Sequence, residues 1–196
     1  RSDSLEKLNP QAINKAIKAL ENNNMVVHYV ENSCKAKELV ASLIPEGSTV
    51  SFGGSVTLNE TGIMELLKSG KYKLLDRSAD GADVNKIYRD SFSADFYLTS
   101  SNAITQNGEL YNVDGNGNRV TALTFGPKQV IVVAGINKIV KDLDEAILRV
   151  KTIAAPKNCV RLSKKTYCAE CGRCASLNSE NPEMTDGCDS PDRICR

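Results

Sequence analysis

The sequence contains a single histidine, His28, and no tryptophan. One histidine excludes every mechanism that needs two, and it argues against a histidine-based nucleophilic triad and against a multi-histidine metal site. His28 lies inside the apolar run 25–30, a pattern typical of a buried strand. We therefore interpret it as a core histidine rather than a catalyst.

An excess of charge of one sign is also missing, because 25 Lys and Arg residues face 24 Asp and Glu residues and the net charge is +1. Attraction to phosphate backbones or anionic lipid needs a clustered basic surface, so the composition disfavours nucleic-acid binding. No apolar run approaches the roughly 20 residues that span a bilayer, which predicts no membrane span. Residues 1–8 are charged and polar, without the apolar segment of a secretory signal, and a cytoplasmic location is the expectation.

Alternating helix and strand patterns predict an α/β fold with a mostly parallel sheet flanked by helices. The periodicity predicts helices at 10–22, 33–44, 57–69, 83–90 and 142–154, and strands at 25–30, 48–52, 72–76 and 128–135. Turn dipeptides that begin at Asn107, Asp114 and Asn116 separate short strand-like runs at 95–100, 109–113 and 119–125. These turns predict a β-hairpin insertion in the fold.

Cysteine is concentrated near the end of the sequence. Five of the seven cysteines fall in the last 29 residues, namely Cys168, Cys171, Cys174, Cys188 and Cys195. In a chain without an export signal, such clustering indicates metal or redox chemistry before disulfides. Residues 164–196 lack hydrophobic periodicity, so a metal or docking on the core has to hold them. We expect an α/β domain at 1–157 and a Cys-rich irregular tail at 158–196. We interpret the isolated Cys34 and Cys159 as small hydrophobes unless they are exposed.

The first three tail cysteines form a C-x2-C-x2-C run, which is typical of iron–sulfur ligation because thiolates at this spacing reach one face of a cluster. The run differs from the bacterial ferredoxin pattern, since no fourth cysteine follows after three residues. Four of the five tail thiols would equally satisfy a tetrahedral zinc ion, and a metal-free redox or disulfide tail is a third interpretation. The spacing leaves open which four thiols ligate.

The strand predicted at 48–52 is followed by Gly53-Gly54-Ser55 and then by a helix, which is the layout of an anion-binding turn. The turn matches neither G-x-x-x-x-G-K-[ST] nor G-x-G-x-x-G, so an ordinary nucleotide loop is not supported. Thr57 and Glu60 also fit a capping box, in which they merely satisfy helix-end donors.

The stretch 100–119 is unusually polar for a segment between two apolar strands. Its Asp, Asn and Gly residues are typical turn formers, whereas Glu109 and Arg119 are candidates for a pocket carboxylate and an anion-binding guanidinium, with a mutually paired surface as the alternative. Lys138 follows the strand at 128–135, where open α/β sheets bind ligands. The candidate catalytic residues are Glu60, Glu109 and Lys138. The candidate ligand-binding residues are Gly53, Gly54, Ser55, Thr57, Asn102, Asn112, Asp114, Asn118, Arg119, Asn137 and Lys138.

Three long segments, 51–62, 99–119 and 130–140, resemble the LUD domain of the lactate-utilization protein family. Within that family the chain is similar to lactate-utilization proteins B and C. The resemblance covers almost the whole chain. It implies a fold similar to the NagB/RpiA/CoA-transferase-like group and a role in lactate utilization. Some stand-alone members of the family end in a similar cysteine-rich stretch.

In those members the first two cysteines are spaced as Cys168 and Cys174 are, and the last two are spaced as Cys188 and Cys195 are. The resemblance therefore implies that these four residues bind an iron–sulfur cluster, of the 4Fe-4S type, with Cys171 in reserve. The chain departs from the family pattern because Cys171 is added and because 13 residues separate Cys174 from Cys188. Family members also continue past the last cysteine into a further strand, whereas this sequence ends at Arg196.

The leading hypothesis is an electron-transfer or accessory subunit of a cytoplasmic lactate-oxidising system, with other subunits of that system as partners. The sequence shows no flavin or nicotinamide fingerprint, so we expect substrate oxidation on a partner. The alternative is a small-molecule-binding protein, or a transferase or cyclo-ligase-like enzyme of the same fold, with an anionic ligand and a structural zinc tail. A shared fold hosts unrelated chemistries, so the resemblance alone names no substrate.

Overall fold

The computed structural model describes residues 10–180, 183, 186–193 and 195 of the chain. Its helices are α1 (Pro10–Asn22), α2 (Ser33–Leu43), α3 (Val56–Glu60), α4 (Ile63–Leu67), α5 (Val84–Asp90), α6 (Asn118–Thr124), α7 (Leu143–Arg149), α8 (Ala155–Arg161) and α9 (Tyr167–Cys171). Its strands are β1 (Thr49–Phe52), β2 (Lys73–Leu74), β3 (Phe96–Thr99), β4 (Ala103–Thr105), β5 (Leu110–Tyr111), β6 (Gln129–Val132) and β7 (Ile139–Val140). A π-helical turn, Val150–Ala154, joins α7 to α8, and 3₁₀ turns occur at Ser91–Ser93, Ile136–Lys138 and Ala175–Asn178.

Local signals explain why several predicted helices are confirmed. The side chain of Asn32 accepts a hydrogen bond from the Lys35 amide (3.0 Å) and caps α2. The side chain of Asp83 accepts one from the Lys86 amide (3.0 Å) and caps α5. Each cap satisfies one of the donors that a helix N-terminus leaves unpaired, so each helix begins where its cap lies.

The strand predicted at 25–30 is wrong. These residues have no regular structure, and the side chains of Val26 and Tyr29 are 85% and 61% exposed. His28 is exposed as well, so its interpretation as a core histidine is also wrong. An apolar β-branched run favours a strand only where a neighbouring strand pairs with it, and the described strands include no partner for this run.

Two further elements differ from the prediction. The run 119–125 forms the helix α6 instead of a strand, because its buried residues Arg119 and Ala122 stand three positions apart and share one helix face. The helix predicted at 57–69 is divided into α3 and α4 by Gly62, whose φ of +70° is a left-handed conformation that glycine adopts without strain.

The chain divides into two compact units, each of them discontinuous in sequence. The sheet unit comprises His28–Ser101 and Asn118–Gly135. The tail unit comprises residues 10–27, Asn102–Gly117 and the described residues from Ile136 onward.

The sheet unit contains a parallel four-stranded sheet in the order β2-β1-β3-β6. Val50 pairs with Phe96 and Leu98 pairs with Ile131, which fixes the register of the central strands. One face of this sheet is apolar and packs on α2, α3 and α4. Its buried core consists of Val40, Ile44, Val50, Leu58, Ile63, Leu67, Tyr72, Phe96 and Leu98. Full burial of each aliphatic side chain contributes about 1.5–3 kcal/mol, so this face accounts for much of the stability of the unit.

The tail unit contains a small mixed sheet in which β4 pairs antiparallel with β5 and parallel with β7. The β4–β5 pair confirms the predicted hairpin, whose turn includes Gly108 at a φ of +90°. A Cβ atom on Gly108 would lie 2.8 Å from the Ala19 carbonyl oxygen, because α1 packs closely on this turn. No helix in the described part of the chain is long and apolar enough to cross a membrane.

Candidate functional site

The first tail cysteines are placed by the short helix α9. Thr166 caps this helix, because its hydroxyl accepts a hydrogen bond from the Ala169 amide (3.3 Å). Gly172 ends the helix with a φ of +72°, the left-handed conformation common after a helix C-terminus. Cys168 is half-buried on this helix, whereas Cys171 is exposed.

Four of the tail thiols form one cluster. Burial raises the pKa of Cys195, and the thiols of Cys168, Cys174 and Cys188 lie close enough to raise that pKa further. Burial also raises the pKa of Cys168, with additional contributions from Cys159 and Cys174. Cys171 is not among the thiols that affect either pKa. We call Cys168, Cys174, Cys188 and Cys195 the thiol cluster; they are the set that the family resemblance implies.

Hydrogen bonds from backbone amides to side chains bring the chain back to the thiol cluster after the long spacer between Cys174 and Cys188. The Lys165 amide donates to a carboxylate oxygen of Asp192 (2.9 Å). The Tyr167 amide donates to the hydroxyl of Ser190 (2.9 Å). The segment that carries Cys188 is thereby tied to the segment just before Cys168, whatever the length of the loop between them.

A buried lysine also holds the tail. Lys151 is 1% exposed and lies in the π-helical turn after α7. Its carbonyl oxygen accepts a hydrogen bond from the Cys174 amide (2.8 Å), and its Nζ donates to the carbonyl oxygen of Glu183 (2.9 Å). π-helical turns inside helices are often found at functional sites, and here the turn faces the cysteine-rich tail. The charged lysine in an otherwise amphipathic segment is the only sequence signal that would have indicated this role.

The chemistry of the thiol cluster fits an iron–sulfur cluster. Thiolates are the ligands that such clusters use, and they also suit zinc. Among the described residues, however, no three Cys, His, Asp or Glu side chains converge on a point that one metal ion would occupy. Cys188 also lines an open depression of about 530 Å³ together with Glu183, Asp186, Gly187 and Asp189, so the thiol cluster reaches the protein surface.

Cys159 belongs next to the thiol cluster, a position that the sequence did not indicate. It lies on α8, which packs against α9, and it is 4% exposed. Its thiol lies near that of Cys168 and contributes to the raised pKa of Cys168. The interpretation of Cys159 as a small hydrophobe accounts for its burial but not for this proximity. Eight residues separate it from Cys168, so only the packing of two helices reveals that they are close.

A second polar site lies at the carboxyl ends of the parallel strands in the sheet unit. The chain passes from β1 to β2 on one side of β1 and then returns to β3 on its other side, so strand order reverses between β1 and β3. Ligands of open α/β sheets bind at such a reversal, just beyond the strand ends. Gly53-Gly54-Ser55 follows β1 there, and Ser100 and Ser101 follow β3.

The side chains beneath this reversal are polar and buried. Ser51 and Thr99 face away from the apolar core, and the Ser51 hydroxyl bonds to that of Ser91 (2.6 Å). Arg119, which is 9% exposed, donates from Nη1 to the Ser100 carbonyl oxygen (3.0 Å). A Cβ atom on Gly53 would lie 2.8 Å from Thr99 Oγ1 and 3.0 Å from Arg119 Cδ, so the absence of a side chain permits this packing.

The residues just after this turn have structural roles. Ser55 caps α3, since its hydroxyl accepts a hydrogen bond from the Leu58 amide (3.3 Å). The predicted capping box is therefore wrong: Thr57 lies inside α3, and its carbonyl oxygen accepts a hydrogen bond from the Thr61 hydroxyl (2.8 Å). Glu60 is exposed at the end of α3. Gly54 is exposed in the turn itself.

Other candidate residues lie in the tail unit and stabilise one another. The Asn102 amide donates to Asn112 Oδ1 (3.2 Å), and the Val113 amide donates to Asn102 Oδ1 (2.8 Å). Arg149 donates to the carbonyl oxygens of Asn102 and Asn137. Arg149, which the sequence did not single out, is thus the residue that connects two of the predicted ligand-binding positions.

The remaining candidates are spread over both units. Glu109 is half-buried, and its carboxylate accepts a hydrogen bond from the buried Thr105 hydroxyl across the β4–β5 turn. Asp114 is 8% exposed in the tail unit. Lys138 is the half-buried last residue of the 3₁₀ turn Ile136–Lys138. Asn118 is the first residue of α6.

A family model described as the LUD domain matches residues 13–196, which is nearly the whole chain and includes both the strand reversal and the thiol cluster. A search against curated proteins found no significant match.

Proposed function

Because this chain belongs to the LUD-domain family, which is associated with lactate utilization, we propose that it is an iron–sulfur subunit or accessory protein of a cytoplasmic lactate-oxidising system. In this proposal the tail carries electrons, and a partner subunit oxidises the substrate. The observation that supports it is the thiol cluster, in which three cysteines lie close enough to Cys195 to raise its pKa.

Each part of the tail has a task in this proposal. Cys168, Cys174, Cys188 and Cys195 would bind a 4Fe-4S cluster, which supplies one-electron redox chemistry when bound. The four thiols are half-buried, which reduces their contact with water. Cys188 lies at the open depression, where a redox partner can approach the site from solvent. Lys151 holds both halves of the tail in place through Cys174 and Glu183.

Metal and sulfide analysis of protein purified without oxygen tests the proposal. We expect iron with matching inorganic sulfide, and a broad brown absorption that bleaches with dithionite. Stoichiometric zinc in a colourless protein would overturn the electron-transfer function and make the tail a structural element.

A second candidate function is the binding of an anionic small molecule at the strand reversal of the sheet unit. The location of Gly53-Gly54-Ser55 at that reversal favours it, together with the buried Arg119 guanidinium nearby. Such a ligand would stabilise the folded protein in a thermal-shift screen of carboxylates, acyl-CoA esters, sugar phosphates and folates. The same ligand should fail to stabilise Arg119→Gln. A screen without any stabilising ligand would contradict this candidate.

A further inference from the structure

We propose that side chains two residues away from the ligand cysteines, Ser176 above all, set the reduction potential of the iron–sulfur cluster that the thiol cluster binds. They do so by donating hydrogen bonds to the ligand sulfurs. This inference rests on the proposed iron–sulfur function and extends it from the ligands to the residues around them.

Three of the four thiols in the cluster contact a hydroxyl group. The sulfur–oxygen distances are 3.3 Å for Cys168 and Thr166, 3.2 Å for Cys174 and Ser176, and 3.5 Å for Cys188 and Ser190. In each pair the two residues are separated by one intervening residue in sequence. The repeated spacing means that local backbone geometry, rather than a chance surface contact, places each hydroxyl against its thiol.

The burial of these hydroxyls supports a fixed arrangement. Ser176 is fully buried and Thr166 is 4% exposed, so water competes little for either of them. Thr166 and Ser190 already accept hydrogen bonds from the amides of Ala169 and Tyr167. A hydroxyl that accepts one hydrogen bond still has its own hydrogen to donate, and here each has a cysteine sulfur within reach.

The direction of these bonds follows from the chemistry of ligation. A free thiol can donate, and Cys188 donates to Ser190 in this structure. A cysteine that ligates a metal is a thiolate and has no hydrogen, so it can only accept. Ligation therefore makes each hydroxyl the donor and its cysteine sulfur the acceptor.

Cys195 differs from the other three thiols in the residue two positions away. At Cys195 the corresponding position two residues away is Arg193, whose positive charge favours the thiolate of Cys195.

The consequence concerns the electron that the cluster takes up. A donor at a ligand sulfur withdraws negative charge, and the reduced state carries one more negative charge than the oxidised state. Hydrogen bonds to sulfur therefore stabilise the reduced state more and raise the reduction potential. Loss of one such donor should make the potential more negative and strengthen the bond from iron to that sulfur.

The test compares full-length variants purified without oxygen, after iron and sulfide have been counted in each. Ser176→Ala removes the best-buried hydroxyl, and we expect a midpoint potential more negative than that of the wild type in a dye-mediated titration. Its iron–cysteine stretching bands in resonance Raman spectra should shift to higher frequency. Ser190→Ala should shift the potential in the same direction by less, because its contact is longer. Ser179→Ala is the matched control, since among the described residues its hydroxyl forms no hydrogen bond to a thiol, and its potential should equal that of the wild type.

The possible failures are distinguishable. A wild type without iron and sulfide refutes the proposed function itself. Loaded Ser176→Ala and Ser190→Ala proteins with the midpoint of the wild type refute this inference and leave the proposed function intact. If Ser176→Ala binds no cluster, the comparison of Ser190→Ala with Ser179→Ala decides by the same criterion.

Discussion

The Nζ atom of Lys151, an almost completely buried lysine, donates a hydrogen bond to the carbonyl oxygen of Glu183 in the cysteine-rich tail (2.9 Å). An ammonium group in a protein interior is costly unless it is hydrogen-bonded, so this carbonyl partly satisfies the charge. The backbone of Lys151 also binds the Cys174 amide. The tail is therefore attached to the helical part of its unit by protein contacts as well as by any metal that it binds.

Lys151→Met should loosen the tail. Methionine fills a similar volume but cannot donate to the Glu183 carbonyl, and a hydrogen bond from a charged donor contributes about 1.5 kcal/mol or more. Such a loss raises the population of locally open tail about tenfold. Hydrogen exchange of the tail amides in the metal-free protein measures this. Lys157→Met, on the exposed side of α8, is the control and should exchange like the wild type; equal exchange in both variants would contradict the role of Lys151.

Gly53→Ala should destabilise the sheet unit. The backbone at Gly53 suits alanine, but the added Cβ would stand 2.8 Å from Thr99 Oγ1 and 3.0 Å from Tyr97 Oη, which is closer than such atoms approach. Overpacking of this kind costs about 1–3 kcal/mol. Urea denaturation measures the free energy of unfolding. Gly54→Ala, in the exposed position next to it, should change that value by less than about 0.5 kcal/mol. The prediction fails if the two substitutions have the same effect.

Asp95→Asn should alter the acid stability of the sheet unit. The Lys128 ammonium, 2.8 Å away, and the Thr49 amide, also at 2.8 Å, hold the pKa of Asp95 below its ordinary value of 3.8. A lowered pKa in the folded state adds stability above the unfolded pKa, and this stability is lost as the pH falls through the folded pKa. Asparagine keeps an acceptor for the Thr49 amide but has no charge to lose.

The stability difference between wild type and Asp95→Asn should therefore be largest at about pH 6 and shrink towards about pH 3. Urea denaturation at several pH values measures it. Asp80→Asn, in an exposed loop, is the control. A difference that stays constant across this pH range would show that the charge of Asp95 does not stabilise the fold.

Cys171→Ser and Cys188→Ser should differ in metal content. Cys188 affects the pKa of Cys195 and belongs to the thiol cluster, whereas Cys171 is exposed and affects neither of the raised pKa values. We expect Cys171→Ser to retain the iron of the wild type and Cys188→Ser to lose most of it. Colorimetric iron analysis decides, and iron loss from Cys171→Ser with retention in Cys188→Ser would reverse the assignment of ligands.

Elements of the fold could be predicted where the local sequence pattern agrees with the tertiary contacts around it. The hydrophobic pattern predicts the helix at 10–22 and the strands around Val50 and Ile131, and the structure contains all three. The run 25–30 has strand propensity, yet whether a strand forms there depends on a pairing partner that the local sequence does not encode. The run 119–125 is rich in β-branched residues, and only its burial, with Arg119 and Ala122 inward, shows the helical period.

The candidate sites could be predicted where their residues follow a recognisable spacing in the sequence, as the tail cysteines do. The family resemblance, added to the cysteine spacing, selects the four thiols of the cluster, and their role as ligands stays a prediction. Cys159, Lys151 and Ser176 come from segments whose contact depends on helix packing and on the return of the tail, so no local motif includes them. The polar stretch 100–119 is divided between the two units, which its continuous sequence does not indicate.

Native mass spectrometry of the full chain, purified without oxygen, tests the central claim most directly, because it weighs what each molecule carries. The account predicts an added mass of four irons and four inorganic sulfides, retained in Cys171→Ser and absent from Cys195→Ser. A chain that carries one zinc ion, or that carries nothing while it folds normally, would contradict the proposal that this protein transfers electrons.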